Sequence, residues 1–226
     1  MIRFLTIVFL ASVLSACGGG GESPNAEPTQ ASAAAPIAAP AHVCVPRVVS
    51  VALLGDSTMY GSMFVQGVGY VQATHNPGVQ LQAAMDAQFG PGAVVVTNYG
   101  VPGSTATQAN PIVAHVVVAN YGINDAARGE SGEVFTAAMK AIGVTLIETQ
   151  NPQAGDLGNS MAAPFVAIER SLGLPVADTF AYVQTLQNWK TMEPDGIHPT
   201  DELYQLIVAN VLAPAVAKQV APLRCM

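Results

Sequence analysis

The stretch VVSVALLGDST, residues 48–58, decides the fold of this chain. Its first seven residues, 48–54, are mostly β-branched or apolar without strict alternation, which is typical of a strand buried on both faces of a sheet. Gly55 then permits a tight turn. Because reactive groups in open α/β sheets lie at the carboxyl ends of the strands, Ser57 stands where an active site would form. Taken alone, Gly-Asp-Ser is a common turn.

Four further strands and four helices are predicted downstream. The strands are 93–98, 115–120, 144–148 and 175–180, and the helices are 77–89, 134–142, 160–172 and one beginning after residue 199. Thr200 is the expected N-cap of the last helix, and Pro214 is expected to kink or end it. Strands that alternate with helices predict a three-layer α/β/α fold around a parallel five-stranded sheet.

Composition argues against one class of partner. The net charge is −7 with only 8 Lys plus Arg and no basic run, so no nucleic-acid partner is expected. Half of the residues are apolar and 10% are charged, which suits an extracytoplasmic domain with a large core. Nothing in the composition indicates a substrate or an oligomeric state.

Residues 1–16 are interpreted as a signal peptide. One positive charge, Arg3, precedes an apolar run over 4–10 that is too short to cross a bilayer as a helix. The segment LSAC, residues 14–17, resembles a bacterial lipobox, which implies that Cys17 receives lipid and becomes the new N-terminus. The alternative is an ordinary signal peptide with a chance cysteine.

Residues 17–42 then form the lipidated cysteine and a flexible linker, because they are mostly Gly, Pro, Ala and Ser with little to bury. The expected location is the cell envelope, with the membrane as partner through the lipid anchor. Gly18, rather than Asp, after the lipidated residue favours an outer-membrane or periplasmic side. Residues 43–226 are expected to form one domain.

Two further cysteines, Cys44 and Cys225, stand at the ends of that domain. Secretion permits a disulfide between them, closing a loop of roughly 180 residues, worth about 4 kcal/mol if unstrained. A zinc site is the weaker alternative, because two lone cysteines lack the paired spacing of metal sites.

Three other motifs carry candidate chemistry. NYGVPGST, residues 98–105, follows the second strand with two glycines that let the backbone approach a ligand. YGIND, residues 121–125, follows the third strand, and the amide of Asn124 suits an oxyanion hole. DGIHP, residues 195–199, precedes the last helix. Each motif, taken singly, is equally well explained as a loop or turn.

In the last motif, Asp195 and His198 are three residues apart and can meet within one turn. The carboxylate can then hold the imidazole in the tautomer that leaves one nitrogen free to deprotonate a serine. The other histidines, His42, His75 and His115, have no such neighbour and are interpreted as structural or incidental.

Together, the four motifs resemble those of the SGNH (GDSL-type) hydrolase family, over nearly all of residues 48–220. The resemblance implies a flavodoxin-like three-layer fold and a nucleophilic Ser, an oxyanion Gly, an oxyanion Asn and an Asp-x-x-His pair. Matched residue by residue, these are Ser57, Gly103, Asn124, Asp195 and His198. For the glycine, Gly103 fits the family's spacing better than Gly100. The Ser57 backbone N–H completes the oxyanion hole, and neither a metal nor an organic cofactor is implied.

The implied activity is a carboxylesterase or lipase-like reaction on acyl esters through an acyl-enzyme. Alternatives with the same chemistry are O-deacetylation of a polysaccharide, lysophospholipase or thioesterase activity. Outside this class, the chain would be a non-catalytic binding lipoprotein, but the complete set of reactive residues argues against that. Residues 59–76 and 150–160 are expected to wall the acyl pocket.

Two crossovers depart from the family pattern because they are short. Only about nine residues separate Thr105 from the strand at His115, whereas a crossover with its helix needs about 10–12. Between Asp125 and Val144 there is room for a helix of two or three turns. The expected consequences are a partly bare sheet face, a helix replaced by a loop, or a truncated, inactive copy.

Overall fold

The computed structural model describes residues 47–155 and 158–224, with the backbone alone over 158–161. The predicted signal peptide, the lipidated Cys17, the linker and the Cys44–Cys225 disulfide lie outside the described residues and stay predictions.

Five parallel strands form one sheet. They are β1 Val49–Gly55, β4 Val94–Asn98, β5 Val116–Asn120, β6 Leu146–Glu148 and β7 Val176–Ala177, and two further strands, β2 and β3, form the separate hairpin described below. Across the sheet the order is β4-β1-β5-β6-β7. The predicted α/β fold with a parallel five-stranded sheet is therefore confirmed. The last strand is shorter than the predicted 175–180, because Asp178 accepts a hydrogen bond from the Ala181 N–H at 3.0 Å and starts a helix at Thr179.

Helices flank this sheet on both faces. They are α1 Ser57–Tyr60, α2 Pro77–Phe89, α3 Ile123–Ala127, α4 Gly132–Ala141, α5 Gly158–Ser171, α6 Thr179–Thr185, α7 Asp201–Ile207 and α8 Ala213–Leu223. The bounds of α2 are the predicted ones, with the Asn76 side chain as N-cap and a proline in the first turn.

The last helix begins as predicted, since the Thr200 hydroxyl accepts from the Leu203 N–H at 3.3 Å. It does not end at Pro214. Instead, a π-helical turn at Val208–Leu212 links α7 to α8, which is a known way to accommodate a missing amide hydrogen bond. The continuous helix Asp201–Leu223 contains an 18-residue stretch with a mean hydropathy of 1.5 and, by length and composition alone, is long enough to span a membrane. Here its apolar side, including Leu212 and Val216, packs in the core.

Helices cover most of both faces of the sheet. On one face, β1 and β5 pack against α2 and α8. On the other face, Phe135 and Met139 of α4 are at most 1% exposed and pack against Val117 and Ile147. The first short crossover has a 3-10 turn at Ala106–Gln108 in place of a helix, as one of the expectations had it. The expectation of a partly bare face is confirmed at the edge strand β4, where Val95 is 47% exposed and Thr97 on the same face is also exposed, whereas α4 and α5 cover the rest of that face.

The segment 59–76 is more ordered than a loop. It contains an antiparallel hairpin of β2, Ser62–Val65, and β3, Gly69–Gln72. This hairpin connects the helix that begins at Ser57 to α2.

Candidate active site

Ser57 is the first residue of α1, directly after the central strand β1. The turn before it needs glycine, because a Cβ on Gly55 would lie 2.4 Å from Cβ of Met59 and 2.7 Å from the Asn120 carbonyl oxygen. The Asp56 carboxylate caps α1 by accepting from the Thr58 N–H at 2.9 Å. The Ser57 N–H therefore stands at a helix start, where it has no intrahelical acceptor.

His198 connects Ser57 to Asp195. Its Nε2 lies 2.9 Å from the Ser57 Oγ, and its Nδ1 lies 2.6 Å from Asp195 Oδ2. The other carboxylate oxygen accepts from the His198 backbone N–H at 2.8 Å. Both side chains are largely buried, with 12% of His198 and 11% of Asp195 exposed. The predicted pair is thus assembled next to the predicted serine.

Two opposing effects act on the Asp195 carboxyl. Burial favours its neutral form, but the hydrogen bonds from His198 and Ile197 outweigh burial and hold its pKa below the usual range. A charged Asp195 favours a proton on Nδ1 of His198, which leaves Nε2 free to accept one from Ser57.

Gly103 faces the same pocket as Ser57 and His198. Its φ of 78° is a backbone conformation that favours glycine, and its carbonyl accepts from Arg128 Nη2 at 2.7 Å. Gly100 instead lets its own backbone pack closely against the backbone of Tyr60, because a Cβ on Gly100 would lie 2.4 Å from the Tyr60 backbone nitrogen. Gly103 is therefore the better placed of the two to present an N–H to a ligand.

The Asn124 side chain also lines this pocket. Its amide nitrogen donates to Asp56 Oδ2 and to the Ser104 carbonyl, at 3.1 Å each. The carboxylate of Asp56 is completely buried, which raises its pKa in spite of the hydrogen bonds from Thr58 and Asn124. Asp56 therefore orients Asn124 from behind Ser57, a role that sequence reasoning missed because the two residues are 68 positions apart.

Asp125 is a second residue that sequence reasoning missed, although it belongs to a quoted motif. It is fully buried, and it accepts from the Ala106 N–H at 2.9 Å and from the Gly122 N–H at 3.0 Å. Burial raises its pKa to about 6. Asp125 thereby ties the loop after Gly103 to the helix that carries Asn124.

The segments that carry Gly103, Asn124 and His198, together with the hairpin β2–β3, border an open pocket of about 420 Å³. Its lining residues are Ser57, Tyr60, Ser62, Tyr70, Val71, Gln72, Pro102, Gly103, Asn124 and His198. Part of the segment 59–76 lines it, as predicted for that segment. None of residues 150–155 lines it, so the prediction for 150–160 is wrong over that part.

Two histidines outside the site have partners that the sequence did not indicate. His75 Nδ1 lies 2.5 Å from Asp201 Oδ2, so the interpretation that it has no acidic neighbour is wrong. His115 Nδ1 accepts from the Ser50 N–H at 2.9 Å. Neither histidine lines the pocket. Over residues 47–155 and 158–224, no group of three His, Cys, Asp or Glu side chains is arranged to hold a metal ion.

Comparison with known proteins places this geometry in context. Residues 53–206 match the family described as GDSL-like Lipase/Acylhydrolase. Similar solved structures include the lipase/acylhydrolase from Enterococcus faecalis, at 21% identity and a TM-score of 0.59 over 77% of this chain and 96% of that one. An aryl esterase from M. smegmatis has 18% identity and a TM-score of 0.55, over 77% and 99% of the two chains.

An acetylxylan esterase from Geobacillus stearothermophilus has 16% identity and a TM-score of 0.52, over 78% of this chain and 96% of that one. At these identities the three similarities concern the fold. No curated protein sequence is significantly similar to this chain.

Proposed function

Because the chain belongs to the GDSL-like lipase/acylhydrolase family and is an ester-bond hydrolase, we propose that Ser57, His198 and Asp195 are its catalytic triad. The observation that carries the proposal is the unbroken row of contacts, 2.9 Å from Ser57 Oγ to His198 Nε2 and 2.6 Å from His198 Nδ1 to Asp195 Oδ2. Such spacing suits an activated nucleophile, its base and the group that orients the base.

In the proposed first step, Ser57 Oγ attacks the ester carbonyl carbon while its proton passes to Nε2 of His198. A carbon–oxygen bond forms, and the carbonyl electron pair moves onto the oxygen. The resulting imidazolium is stabilised by the charged Asp195, whose low pKa keeps it ionised.

The proposed oxyanion donors are the N–H groups of Ser57 and Gly103 and the amide of Asn124. Losing one such donor typically costs about 3 kcal/mol in barrier height. The Asn124 amide already donates to Asp56 and to the Ser104 carbonyl. An oxyanion would therefore share or replace the Ser104 carbonyl as an acceptor, while Asp56 keeps the amide oriented.

The second half of the reaction restores the enzyme. The tetrahedral intermediate collapses, its bond to the alcohol oxygen breaks, and His198 gives its proton to that oxygen. Water then attacks the acyl-enzyme and passes a proton to His198 Nε2. Ser57 departs from the acyl carbon, takes that proton back, and the acid is released.

Serine labelling and ester hydrolysis test the triad together. The wild type should react with a fluorophosphonate probe and hydrolyse p-nitrophenyl acetate, whereas Ser57→Ala should do neither above background. Ser171→Ala is the matched control, because this serine is exposed on α5 and its hydroxyl donates to the Ile168 carbonyl of the same helix. Hydrolysis that survives in Ser57→Ala refutes the nucleophile assignment.

The proposed substrates are acyl esters, with acetylated glycans as the second candidate. The glycan candidate is favoured by one observation: the pocket is open and is bordered by Tyr70, a residue that is 65% exposed. An exposed aromatic ring at the mouth of a pocket offers a flat, amphipathic contact surface.

A panel of p-nitrophenyl esters from acetate to palmitate, run beside acetylated xylan, separates the two candidates. Rates that rise with chain length favour lipid-like esters, including lysophospholipids. Acetate release from xylan at a rate above that from p-nitrophenyl acetate favours the glycan. A thioester of coenzyme A in the same panel tests thioesterase activity.

We further propose that the domain is anchored in the cell envelope through lipidated Cys17. The support is the LSAC sequence at residues 14–17, directly after the apolar run. Metabolic labelling with a palmitate analogue should mark the wild type in the membrane fraction. Cys17→Ser should remain unlabelled, and labelling of that variant would overturn the anchor.

A Cys44–Cys225 disulfide is proposed for the same extracytoplasmic protein. Its support is the contact between the described ends of the domain: the Arg47 N–H donates to the Arg224 carbonyl, and Arg224 Nη1 donates to the Arg47 carbonyl, at 3.3 Å each. Two free thiols per chain under denaturing, non-reducing conditions would refute it.

A further inference from the structure

The hairpin β2–β3 is held firmly at its base, beside the nucleophile. Tyr204 Oη donates to the Ser62 carbonyl at 2.8 Å, and the Gln72 side-chain amide donates to the Tyr60 carbonyl at 2.9 Å. The Ala73 N–H donates to the Gly61 carbonyl at 2.8 Å. Because these bonds join both ends of the hairpin to α1 and α7, its position relative to Ser57 is defined.

From this base the hairpin carries the Tyr70 ring to His198. The ring centroids of Tyr70 and His198 are 5.2 Å apart with an interplanar angle of 66°, an edge-to-face contact. On its other side, the Tyr70 ring meets Phe64 edge to face, with centroids 5.5 Å apart, and these two residues are directly paired across the hairpin. Phe64, Tyr70 and His198 thus form a row of three rings.

The Tyr70 hydroxyl lies near the Asp195 carboxylate. Its pKa is raised, first by partial desolvation and then by the negative charge of Asp195. The phenol therefore stays neutral at neutral pH. Tyr70 borders the Asp–His pair where the pocket opens to solvent, and the residue itself is 65% exposed.

We propose that Tyr70 is a positioning residue, which keeps the His198 imidazole aligned between Ser57 and Asp195 and limits the access of water to that pair. The proposal rests on the proposed triad. The His198 ring is held at Nδ1 by Asp195 and at Nε2 by Ser57, but these two hydrogen bonds leave the ring free to tilt about the line that joins the two nitrogens. The edge-to-face contact with Tyr70 opposes the tilt, and Phe64 in turn supports Tyr70.

The kinetic consequence concerns kcat rather than KM. A displacement of about 1 Å in a catalytic group can cost about 100-fold in rate. Tyr70→Ala should therefore lower kcat on p-nitrophenyl acetate by about 10- to 100-fold, with a smaller change in KM. The fluorophosphonate labelling rate of Ser57 should fall by a similar factor. Tyr70→Phe keeps the ring and should recover most of the activity.

Val68→Ala is the matched control, because Val68 is 71% exposed in the turn of the same hairpin and does not line the pocket. It should leave kcat and labelling unchanged. If Tyr70→Ala is poorly folded, Tyr70→Leu replaces it. An increase in KM at constant kcat, or equal losses in the Phe and Ala variants, would overturn the positioning role.

A readout that needs no turnover separates this proposal from the proposed function. The proton between His198 Nδ1 and Asp195 is observable by NMR as a downfield resonance. Its exchange with water should accelerate in Tyr70→Ala but not in Tyr70→Phe or Val68→Ala. An unlabelled, inactive wild type would refute the esterase proposal alone, whereas unchanged exchange in Tyr70→Ala would refute the role of Tyr70.

Discussion

Replacing Glu148 by glutamine should make the stability of this protein less dependent on pH. Glu148 is the last residue of β6 and is 4% exposed. Its Oε1 accepts from the Thr179 hydroxyl at 3.0 Å. Burial nevertheless raises its pKa from 4.5 to about 7, against the hydrogen bonds from Thr179 and Asn120 that lower it.

The direction in which stability changes with pH follows from proton binding at Glu148. Between the pKa of the unfolded chain and about 7, the folded protein binds more protons at Glu148 than the unfolded chain does, so the free energy of unfolding falls as pH rises. Above about 7 the whole cost of burying the charge is present. A pKa difference of about 2.5 corresponds to about 3 kcal/mol. Glu148→Gln keeps the shape and an acceptor oxygen but carries no charge.

Urea-induced unfolding at about pH 5 and about pH 8 measures this effect. The loss of stability between the two should be smaller in Glu148→Gln than in the wild type by about 2–3 kcal/mol. Glu133→Gln is the matched control, since Glu133 is exposed on α4. The same change there should leave the pH dependence of the free energy of unfolding as it is in the wild type. If Glu148→Gln loses as much stability as the wild type, the reasoning from burial is wrong.

Three other changes have defined outcomes. Asp195→Asn should lower kcat by about 10⁴-fold in steady-state kinetics without unfolding the protein, because the amide favours the wrong imidazole tautomer. Gly122→Ala should lower the free energy of unfolding by at least about 2 kcal/mol, since φ is 127° and the new Cβ would lie 2.0 Å from a side-chain oxygen. Gly129→Ala, with φ of 70° and open space around it, should cost less in the same urea titration. Replacing Cys44 or Cys225 should lower stability by about 2–4 kcal/mol, and only under non-reducing conditions.

Sequence reasoning succeeded where the determinants are local. The helix 77–89 and the cap at Thr200 were predicted correctly, because caps and stop signals act within one or two turns. Asp195 and His198 were paired from their spacing alone, since three residues fit within one turn. The strand 175–180 was predicted too long, because its apolar pattern continues into α6 and cannot be distinguished from it.

The residues that sequence reasoning missed act over long distances along the chain. Asp56 holds Asn124 across 68 positions, and Tyr70 reaches His198 from a hairpin that was predicted only as a wall-forming segment. Buried Asp125 accepts from the Ala106 N–H, 19 positions away, and so joins the two segments that carry the proposed oxyanion donors. No local pattern marks such contacts, since they exist only once the strands are in register.

The sequence by itself determined that Ser57 and Asn124 would follow strand ends, because adjacent residues specify both a buried strand and the turn after it. Only the tertiary structure decided that Ser57 Oγ lies 2.9 Å from His198 Nε2, 141 positions away. It also decided how much of one sheet face the short crossovers leave bare: α4 and α5 cover most of it, while Val95 of the edge strand β4 is 47% exposed. Distances between remote side chains depend on the packing of the whole sheet and its helices, which residue spacing does not contain.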